Sequence, residues 1–219
     1  RFNNTEAYLK KSLEASLSRL GVDCVDLYYI HRRDQTVPIE EVTETLKGFV
    51  KEGKVKQIGY SEISPSSLNR ASSIHNLAAV QSEYSLSTRY PELGLIQRLK
   101  NLNATLVAFS PLGRSLLTDK PHSFVKAQSL NLLKDNPRFL EPNLSYNIKL
   151  TNKFRQLASS YNMSAAELAL SWLLNKDNVI VPIPGTRSSD NLKSCLLYTS
   201  DAADEGLGVD ICGRSIIKK

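Results

Sequence analysis

The stretch "CVDLYYIH", residues 24–31, decides the fold of this chain. It is short, apolar and rich in β-branched and aromatic residues, which is typical of a buried β-strand. Leucines recur at helical spacing just before it, and they predict an amphipathic helix over residues 4–20. Asn4 or Thr5 can cap the start of this helix, and Gly21 can end it.

The same alternation of helix and strand continues toward the C-terminus. Pro38 suits the first turn of a second helix, which ends near Gly53. Further strands are predicted at "VKQIGYS" (55–61), "AAVQSEYS" (78–85), "TLVAFSPLG" (105–113) and "NVIVPIPG" (178–185). The remaining helices are predicted at 64–76, at 91–103, at 148–161 after a long polar insertion, and after Ser164, which forms a capping box with Glu167.

Strands that alternate with helices imply a parallel sheet covered by helices. About five strands are predicted, whereas a closed β/α barrel needs eight, so the chain is either an open doubly wound sheet or a barrel without its first units. No G-x-G-x-x-G loop follows any strand, which argues against the dinucleotide-binding open sheet. The pattern therefore favours the barrel.

The composition is that of an ordinary globular domain, with 41% hydrophobic and 23% charged residues among 219. No apolar run approaches the roughly 20 residues of a membrane helix, and no secretory signal opens the chain. The net charge is +6, but the basic residues are scattered, so we expect neither nucleic acid nor a membrane as partner. The 3 cysteines show no metal-ligand spacing, so we expect no metal and a cytoplasmic location.

Polar or aromatic residues follow every predicted strand. Functional groups of parallel sheets collect just beyond the carboxyl ends of the strands, so these positions are the site candidates. They are His31, Ser61 with Glu62, Gln81 to Tyr84, Phe109 to Pro111, and Pro184 to Arg187.

Six segments carry a family resemblance: "LGVDCVDLYYIHR", "LKGFVKEGKVKQIGYSEIS", "AAVQSEYSL", "VAFSPLGRSLLT", "MSAAELALSWLL" and "VIVPIPGTRSSDNLKS". In this order they resemble the aldo-keto reductases, NADPH-dependent barrel enzymes that reduce aldehydes and ketones. The resemblance covers residues 4–194, and "YSE", "SPLGR" and "NPRF" followed by "NL" are most similar to the microbial branch that includes pyridoxal reductases. It implies an α/β fold, namely an incomplete (β/α)8 TIM barrel with roughly strands 4 to 8 and their helices.

The chemistry that the resemblance implies is hydride transfer from a nicotinamide to a carbonyl carbon, with a tyrosine, tuned by a lysine and an aspartate, as proton donor. His31 falls on the family histidine that orients the carbonyl oxygen by a hydrogen bond. From the residues alone, a barrel-rim histidine satisfied by backbone groups is an equally good interpretation. The family pattern favours the functional one.

Four positions match residues that hold the nicotinamide in the family. Ser61 and Gln81 match the hydroxyl and the amide that bind its carboxamide. Glu62 stands where the family usually has Asn, although some branches have Glu. Phe109 matches the aromatic residue, commonly Tyr, that stacks on the ring, and plain core packing is the alternative for it.

Two later segments match those that bind the rest of the cofactor in the family. The turn along the pyrophosphate, whose backbone amides can meet anionic oxygens, corresponds to Ser110, Pro111, Leu112 and Gly113. The segment that grips the adenosine 2′-phosphate corresponds to Gly185, Thr186 and Arg187, and Asn191 matches a contact to adenine. This arrangement implies NADP(H) rather than NADH, and for Arg187 the alternative is a solvated surface charge.

The sequence departs from the family at both ends. The strands that carry the catalytic Asp, Tyr and Lys would lie upstream of Asn4, and Tyr28 and Tyr29 precede the strand exit, so they do not replace that tyrosine. We therefore expect a fragment that is inactive and poorly stable, with residues 24–30 as an open sheet edge.

The C-terminal stretch "CLLYTSDAADE", which begins at Cys195, does not continue the last helix. It reads as the translation of a sequencing-library adaptor, so residues 195–219 are predicted to be a non-native, disordered tail. Residues 1–194 are then the partial NADP-dependent oxidoreductase domain.

Two function classes remain open. The favoured one is NADPH-dependent reduction of a small-molecule carbonyl substrate, and the alternative is a non-catalytic nucleotide-binding subunit of the same fold. His31 argues for the enzyme, since such subunits more often lack the orienting histidine. The substrate and the oligomeric state are not predicted.

Four other residues receive structural interpretations. His75 and His122 are expected at the surface, Trp172 in the core, and Cys24 as a small buried residue.

Overall fold

The computed structural model describes residues 2–193, and helices alternate with strands along this range. The helices are α1 (Glu6–Leu20), α2 (Ile39–Lys51), α3 (Pro65–Ser72), α4 (Leu95–Asn101), α5 (Phe124–Gln128), α6 (Asn143–Ser160) and α7 (Ala165–Lys176). The strands are β1 (Val25–Ile30), β2 (Val55–Ser61), β3 (Ala79–Glu83), β4 (Thr105–Phe109) and β5 (Ile180–Ile183).

The five strands lie in one sheet in chain order, β1-β2-β3-β4-β5. β1 pairs with β2 and β2 pairs with β3, both in parallel, so the carboxyl ends of these three strands share one edge. The predicted α/β class with a parallel sheet is confirmed.

The chain divides into two compact units. Within the described residues, the first comprises 2–83 and Tyr90–Val107, and the second comprises Tyr84–Arg89 and 108–193.

In the first unit, α2 packs on β2 and on α3. Val42, Leu46 and Phe49 recur at helical spacing and are all buried, and so is Ile58 of β2. Burial of each such side chain contributes about 1.5–3 kcal/mol to the stability of the fold. The helical spacing of these residues therefore predicted α2 well.

Gly59 lies where the strands on both sides of β2 come close to its backbone. A Cβ atom at this position would lie 2.7 Å from the Ala79 carbonyl oxygen and 2.7 Å from a ring carbon of Tyr29. Tyr29 and Ala79 are its register partners on the flanking strands. Glycine is therefore required here by space.

The start of α1 differs from the prediction. Thr5 occupies the cap position, but its side chain makes no capping bond. The Asn4 side-chain oxygen instead accepts from the Asp34 amide at 2.6 Å, so it ties the helix start to the loop after β1. The predicted end of α1 at Gly21 is confirmed, because Gly21 adopts the left-handed conformation with φ of 67°.

β1 is less buried than its sequence predicts. Ile30 is its one fully buried residue, while Tyr28 and Tyr29 are half-buried. The reason is that β1 is the outermost strand of the described sheet and has a partner on one side only. Cys24, predicted as buried, is likewise half-buried.

In the second unit, the stretch predicted as a polar insertion is folded. α5 and a 3-10 turn at Pro137–Phe139 interrupt it, and α6 begins at Asn143, five residues before its predicted start near 148. Its apolar residues form a small core of their own: Leu116, Ala127, Leu133, Phe139 and Leu144.

The predicted capping box at the start of α7 is confirmed in both halves. The Glu167 amide donates to the Ser164 hydroxyl at 3.2 Å, and the Ser164 amide donates to the Glu167 carboxylate at 2.7 Å. Trp172 of α7 is buried, as predicted, with its ring 5.6 Å from that of Tyr84. Among residues 2–193 there is no helix long and apolar enough to cross a membrane.

Candidate active site

His31 is the first residue after β1, and its side chain is exposed. His75 and His122, predicted at the surface, are half-buried. Burial, with a smaller effect of Lys126, lowers the pKa of His122.

Ser61 ends β2, the neighbouring strand, and it is buried with 4% of its surface exposed. The Arg32 guanidinium reaches across from the end of β1, and its Nη1 donates to the Ser61 hydroxyl at 3.0 Å. The same Nη1 donates to the His31 carbonyl oxygen at 2.7 Å. Arg32 thus links the ends of β1 and β2.

Glu62 follows Ser61 with a left-handed φ of 53°. This conformation lets its amide donate to the Gln81 carbonyl oxygen at 2.9 Å. It also aims the side chain at β3, where Oε1 accepts from the Glu83 amide at 2.8 Å. The Glu62 carboxylate is therefore anchored through one oxygen.

The β2–β3 register brings three of the predicted residues together. Ser61 and Gln81 are direct register partners, and Glu62 bonds to the backbone of both Gln81 and Glu83. Hydroxyl, carboxylate and amide side chains therefore lie at one strand edge, which is the arrangement that the sequence predicts for carboxamide recognition.

An open cleft of about 440 Å³ lies beside this edge and is lined by Arg32, Arg33, Glu62 and residues at the start of α3. The Arg33 guanidinium makes two long bonds, both at 3.4 Å, to the Ser67 hydroxyl and the Val37 carbonyl oxygen. Sequence reasoning did not single out Arg32 or Arg33. The signal was present in "HRRD", where two cations directly follow the candidate histidine.

Tyr29, two residues before His31, does not have the properties of a proton donor. Burial raises the pKa of its phenol above the usual value near 10. A tyrosine that donates a proton near neutral pH needs a shift in the opposite direction. This supports the prediction that Tyr29 does not stand in for the family's catalytic tyrosine.

In the second unit, Phe109 ends β4 and the turn that follows holds four more predicted residues, Ser110, Pro111, Leu112 and Gly113. Phe109 is half-buried, and its carbonyl oxygen accepts from the Tyr84 amide at 3.3 Å. The Gly113 amide donates to the Ser110 carbonyl oxygen at 2.9 Å and closes the turn. The Gly113 amide is thus used within the turn, and Pro111 has no N–H. Neither position therefore offers an amide hydrogen to a phosphate.

Several residues of this turn have positive φ angles, and its glycine is closely packed. Ser110, Gly113 and Arg114 have φ values of 50°, 56° and 55°. A Cβ atom on Gly113 would lie 2.6 Å from the Ser87 hydroxyl oxygen, so both φ and space require glycine.

The segment after β5 is exposed at Gly185, Thr186, Arg187 and Asn191. The Thr186 hydroxyl accepts from the Ser188 amide at 3.1 Å and shapes the entry to the helical residues 189–193. A Cβ atom on Gly185 would meet nothing within 4 Å, so the described chain itself gives no steric reason for glycine there.

The comparisons with known proteins agree with this architecture. The model of the Aldo/keto reductase family matches residues 1–201. The chain is 38% identical over 207 residues to the aldo-keto reductase Yakc [NADP(+)] of Schizosaccharomyces pombe, a match that covers 91% of this chain and 61% of that protein. It is 41% identical over 193 residues to a probable aldo-keto reductase 1 of Glycine max, with 88% and 55% coverage.

Two solved structures share the fold. One is the glycerol dehydrogenase AKR11B4 of Gluconobacter oxydans, with a TM-score of 0.72 and 23% identity over 98% of this chain and 70% of that chain. The other is the thermostable aldo-keto reductase Tm1743 in complex with the inhibitor epalrestat, with a TM-score of 0.70 and 26% identity over 93% and 62% of the two chains.

The parallel α/β architecture is thus that of part of a (β/α)8 barrel, as the sequence predicts. The chain belongs to the aldo-keto reductase family. It spans 61% and 55% of the length of the two curated relatives. The predicted tail at 195–219, which the family match enters, lies outside the described residues.

Proposed function

We propose that this chain is the cofactor-binding part of an NADP(H)-dependent carbonyl reductase that converts aldehydes or ketones to alcohols. The observation that carries the proposal is the strand edge where Ser61, Glu62 and Gln81 meet beside His31. The name of the fission-yeast relative, which includes NADP(+), supports the choice of cofactor.

The chemistry of this set fits a nicotinamide carboxamide. A carboxamide presents one acceptor oxygen and one NH2 donor group, and the strand edge offers both complements. The Ser61 hydroxyl and the Gln81 amide can donate to the oxygen. The second carboxylate oxygen of Glu62 can accept from the NH2 group, since the first is held by the Glu83 amide.

The other predicted positions extend the same proposal along the cofactor. Phe109 offers a ring face for stacking, and the Ser110 and Leu112 amides offer donors for the pyrophosphate. Arg187 and Thr186 are exposed and would hold the 2′-phosphate, with Asn191 on the adenine side.

When bound, the reduced nicotinamide supplies the hydride that reduces the carbonyl carbon. His31 would donate a hydrogen bond to the carbonyl oxygen and so orient it for attack. The proton for that oxygen would come from the family's tyrosine, which we did not find in this sequence. The chain by itself is therefore expected to bind NADPH without turning over a carbonyl substrate.

The test is titration of the chain with NADPH by isothermal calorimetry, with Ser61→Ala as the variant. Loss of a buried hydroxyl that bonds the carboxamide is expected to raise Kd about tenfold. Ser66→Ala is the matched control, because Ser66 is exposed on α3 and should leave Kd unchanged. Failure of the wild-type chain to bind NADPH, or equal effects of both variants, would refute the proposed site.

A further inference from the structure

We propose that Arg32 is a positioning residue, which fixes the Ser61 hydroxyl as a hydrogen-bond donor toward the carboxamide oxygen of the nicotinamide. This inference rests on the proposed function. The structural basis is the guanidinium Nη1 of Arg32, which lies 3.0 Å from the Ser61 hydroxyl oxygen and 2.7 Å from the His31 carbonyl oxygen.

The direction of this bond follows from the chemistry of the two groups. A guanidinium only donates, whereas a hydroxyl has one hydrogen and two acceptor lone pairs. Ser61 must therefore accept from Arg32, and its own hydrogen is left for another acceptor. Nη1 carries two hydrogens, so it can hold the Ser61 hydroxyl and the His31 carbonyl oxygen together.

The charge on Arg32 also makes Ser61 a better donor. A hydroxyl that accepts a charge-assisted hydrogen bond is polarised, and chains of hydrogen bonds strengthen one another where water is excluded. Ser61 is 4% exposed, so solvent competes little for its oxygen.

The presence of Glu62 at this edge makes the Ser61 hydroxyl necessary as a donor. Where an Asn would offer both a donor and an acceptor, a carboxylate only accepts, and one of its oxygens is already bonded to the Glu83 amide. Of the three side chains that meet at this strand edge, those of Ser61 and Gln81 can donate to the carboxamide oxygen and that of Glu62 cannot. A Ser61 hydroxyl locked as a donor by Arg32 compensates for the missing amide.

The first experiment is a double-mutant cycle on NADPH affinity with Arg32→Met, Ser61→Ala and the double variant. Each single change is expected to raise Kd about tenfold. The double variant should bind no more weakly than Ser61→Ala alone, because Arg32 acts through that hydroxyl. An additive, roughly hundredfold loss in the double variant would overturn the inference.

The control is Arg70→Met, which removes an exposed guanidinium of the same unit that pairs with Glu40. Its Kd should equal that of the wild type, which separates the Ser61 contact from a general loss of positive charge. Should Arg32→Met fail to fold, Arg32→Leu gives the same comparison, because leucine likewise cannot donate to the Ser61 hydroxyl.

The second experiment uses the 3-acetylpyridine analogue of NADPH, which keeps the carbonyl oxygen and replaces the NH2 group by a methyl group. If Ser61 donates to the carbonyl oxygen, Arg32→Met weakens the analogue and NADPH by the same factor. An effect on NADPH without an effect on the analogue would place Ser61 at the NH2 group and refute the donor assignment.

These outcomes are distinguishable from failure of the proposed function. A wild-type chain that does not bind NADPH refutes the proposed function itself. A wild-type chain that binds, together with an Arg32→Met variant of unchanged melting temperature and unchanged Kd, refutes the role of Arg32 alone.

Discussion

The hydroxyl oxygens of Tyr60 and Thr43 lie 2.8 Å apart in the buried interior of the first unit. Thr43 donates its single hydrogen to the Ile39 carbonyl oxygen at 2.7 Å, so Tyr60 must be the donor to Thr43. The pair joins β2 to α2 through a bond of fixed direction.

This direction predicts unequal effects of removing the two partners. Thr43→Val removes the acceptor and leaves the Tyr60 hydroxyl buried without a partner, so it should lower the free energy of unfolding by about 2 kcal/mol. Tyr60→Phe leaves Thr43 bonded to Ile39, so it should cost about 1 kcal/mol or less. Urea denaturation followed by circular dichroism measures both. Thr45→Val, at a half-exposed position of α2, is the control, and equal losses for the two variants would contradict the assigned direction.

Tyr60 also predicts a loss of stability at alkaline pH. Burial raises the pKa of its phenol to about 12, against 10 in the unfolded chain. Below pH 10 both states are protonated and the full stability is present. Between pH 10 and 12 the unfolded state loses the proton first, so stability falls as pH rises, by about 2 kcal/mol.

The measurement is the free energy of unfolding from pH 9 to 12 for the wild type and Tyr60→Phe. Because Phe has no proton to lose, the wild type should lose about 2 kcal/mol relative to Tyr60→Phe and become the less stable of the two proteins at the alkaline end of this interval. Tyr8→Phe, at an exposed position of α1, should reproduce the wild-type curve. A constant difference between the wild type and Tyr60→Phe would contradict the expected shift.

Gly59→Ala should lower the free energy of unfolding by about 2–3 kcal/mol. The added methyl group would need space that the Tyr29 ring and the Ala79 carbonyl oxygen already occupy. Gly48→Ala on α2 is the matched control, because nothing lies within 4 Å of the new Cβ atom. That change should stabilise the helix by about 0.5–1 kcal/mol, and similar effects of the two variants would disprove the steric explanation.

Arg187→Ala should weaken NADPH by about ten- to a hundredfold and leave NADH unchanged, because only NADPH has the 2′-phosphate that a guanidinium would bind. Calorimetric Kd values for both nucleotides provide the test. Lys149→Ala removes an exposed cation on α6 and should change neither value. Equal weakening of NADPH and NADH by Arg187→Ala would remove the 2′-phosphate role.

His31→Ala is best tested in a complete reductase that contains this chain together with the family's Asp, Tyr and Lys. If the imidazole orients the carbonyl, kcat/KM should fall about a hundredfold while the Kd of NADPH stays the same. His75→Ala, a half-buried histidine in the turn after α3, serves as control. Unchanged turnover in His31→Ala would leave His31 with a structural role.

The sequence predicts the structure best where the deciding interactions join residues that are close together in the chain. The limits of β2 match the structure residue for residue, and the Ser164–Glu167 box forms as expected because both partners lie within one helical turn. The alternation of strands and helices, which implies the parallel sheet, has the same local origin.

The prediction weakens where distant residues decide. Asn4 bonds to the Asp34 amide rather than capping α1, and no local rule anticipates a partner 30 positions away. Arg32 was missed for the same reason, since its contact with Ser61 spans 29 positions. The small core around Phe139 was missed because its apolar residues are too widely spaced to form a helical or strand period.

Trp172 is the only tryptophan of the 219 residues, and it belongs to the second unit. Its indole packs near Tyr84, with Arg89 and Lys176 each within 6 Å of the ring centre, at 5.6 and 5.5 Å. Its fluorescence emission will therefore follow the melting of that unit, while far-ultraviolet circular dichroism will follow the helices of both units. Two optical signals can thus show whether the halves of this chain unfold together or one after the other.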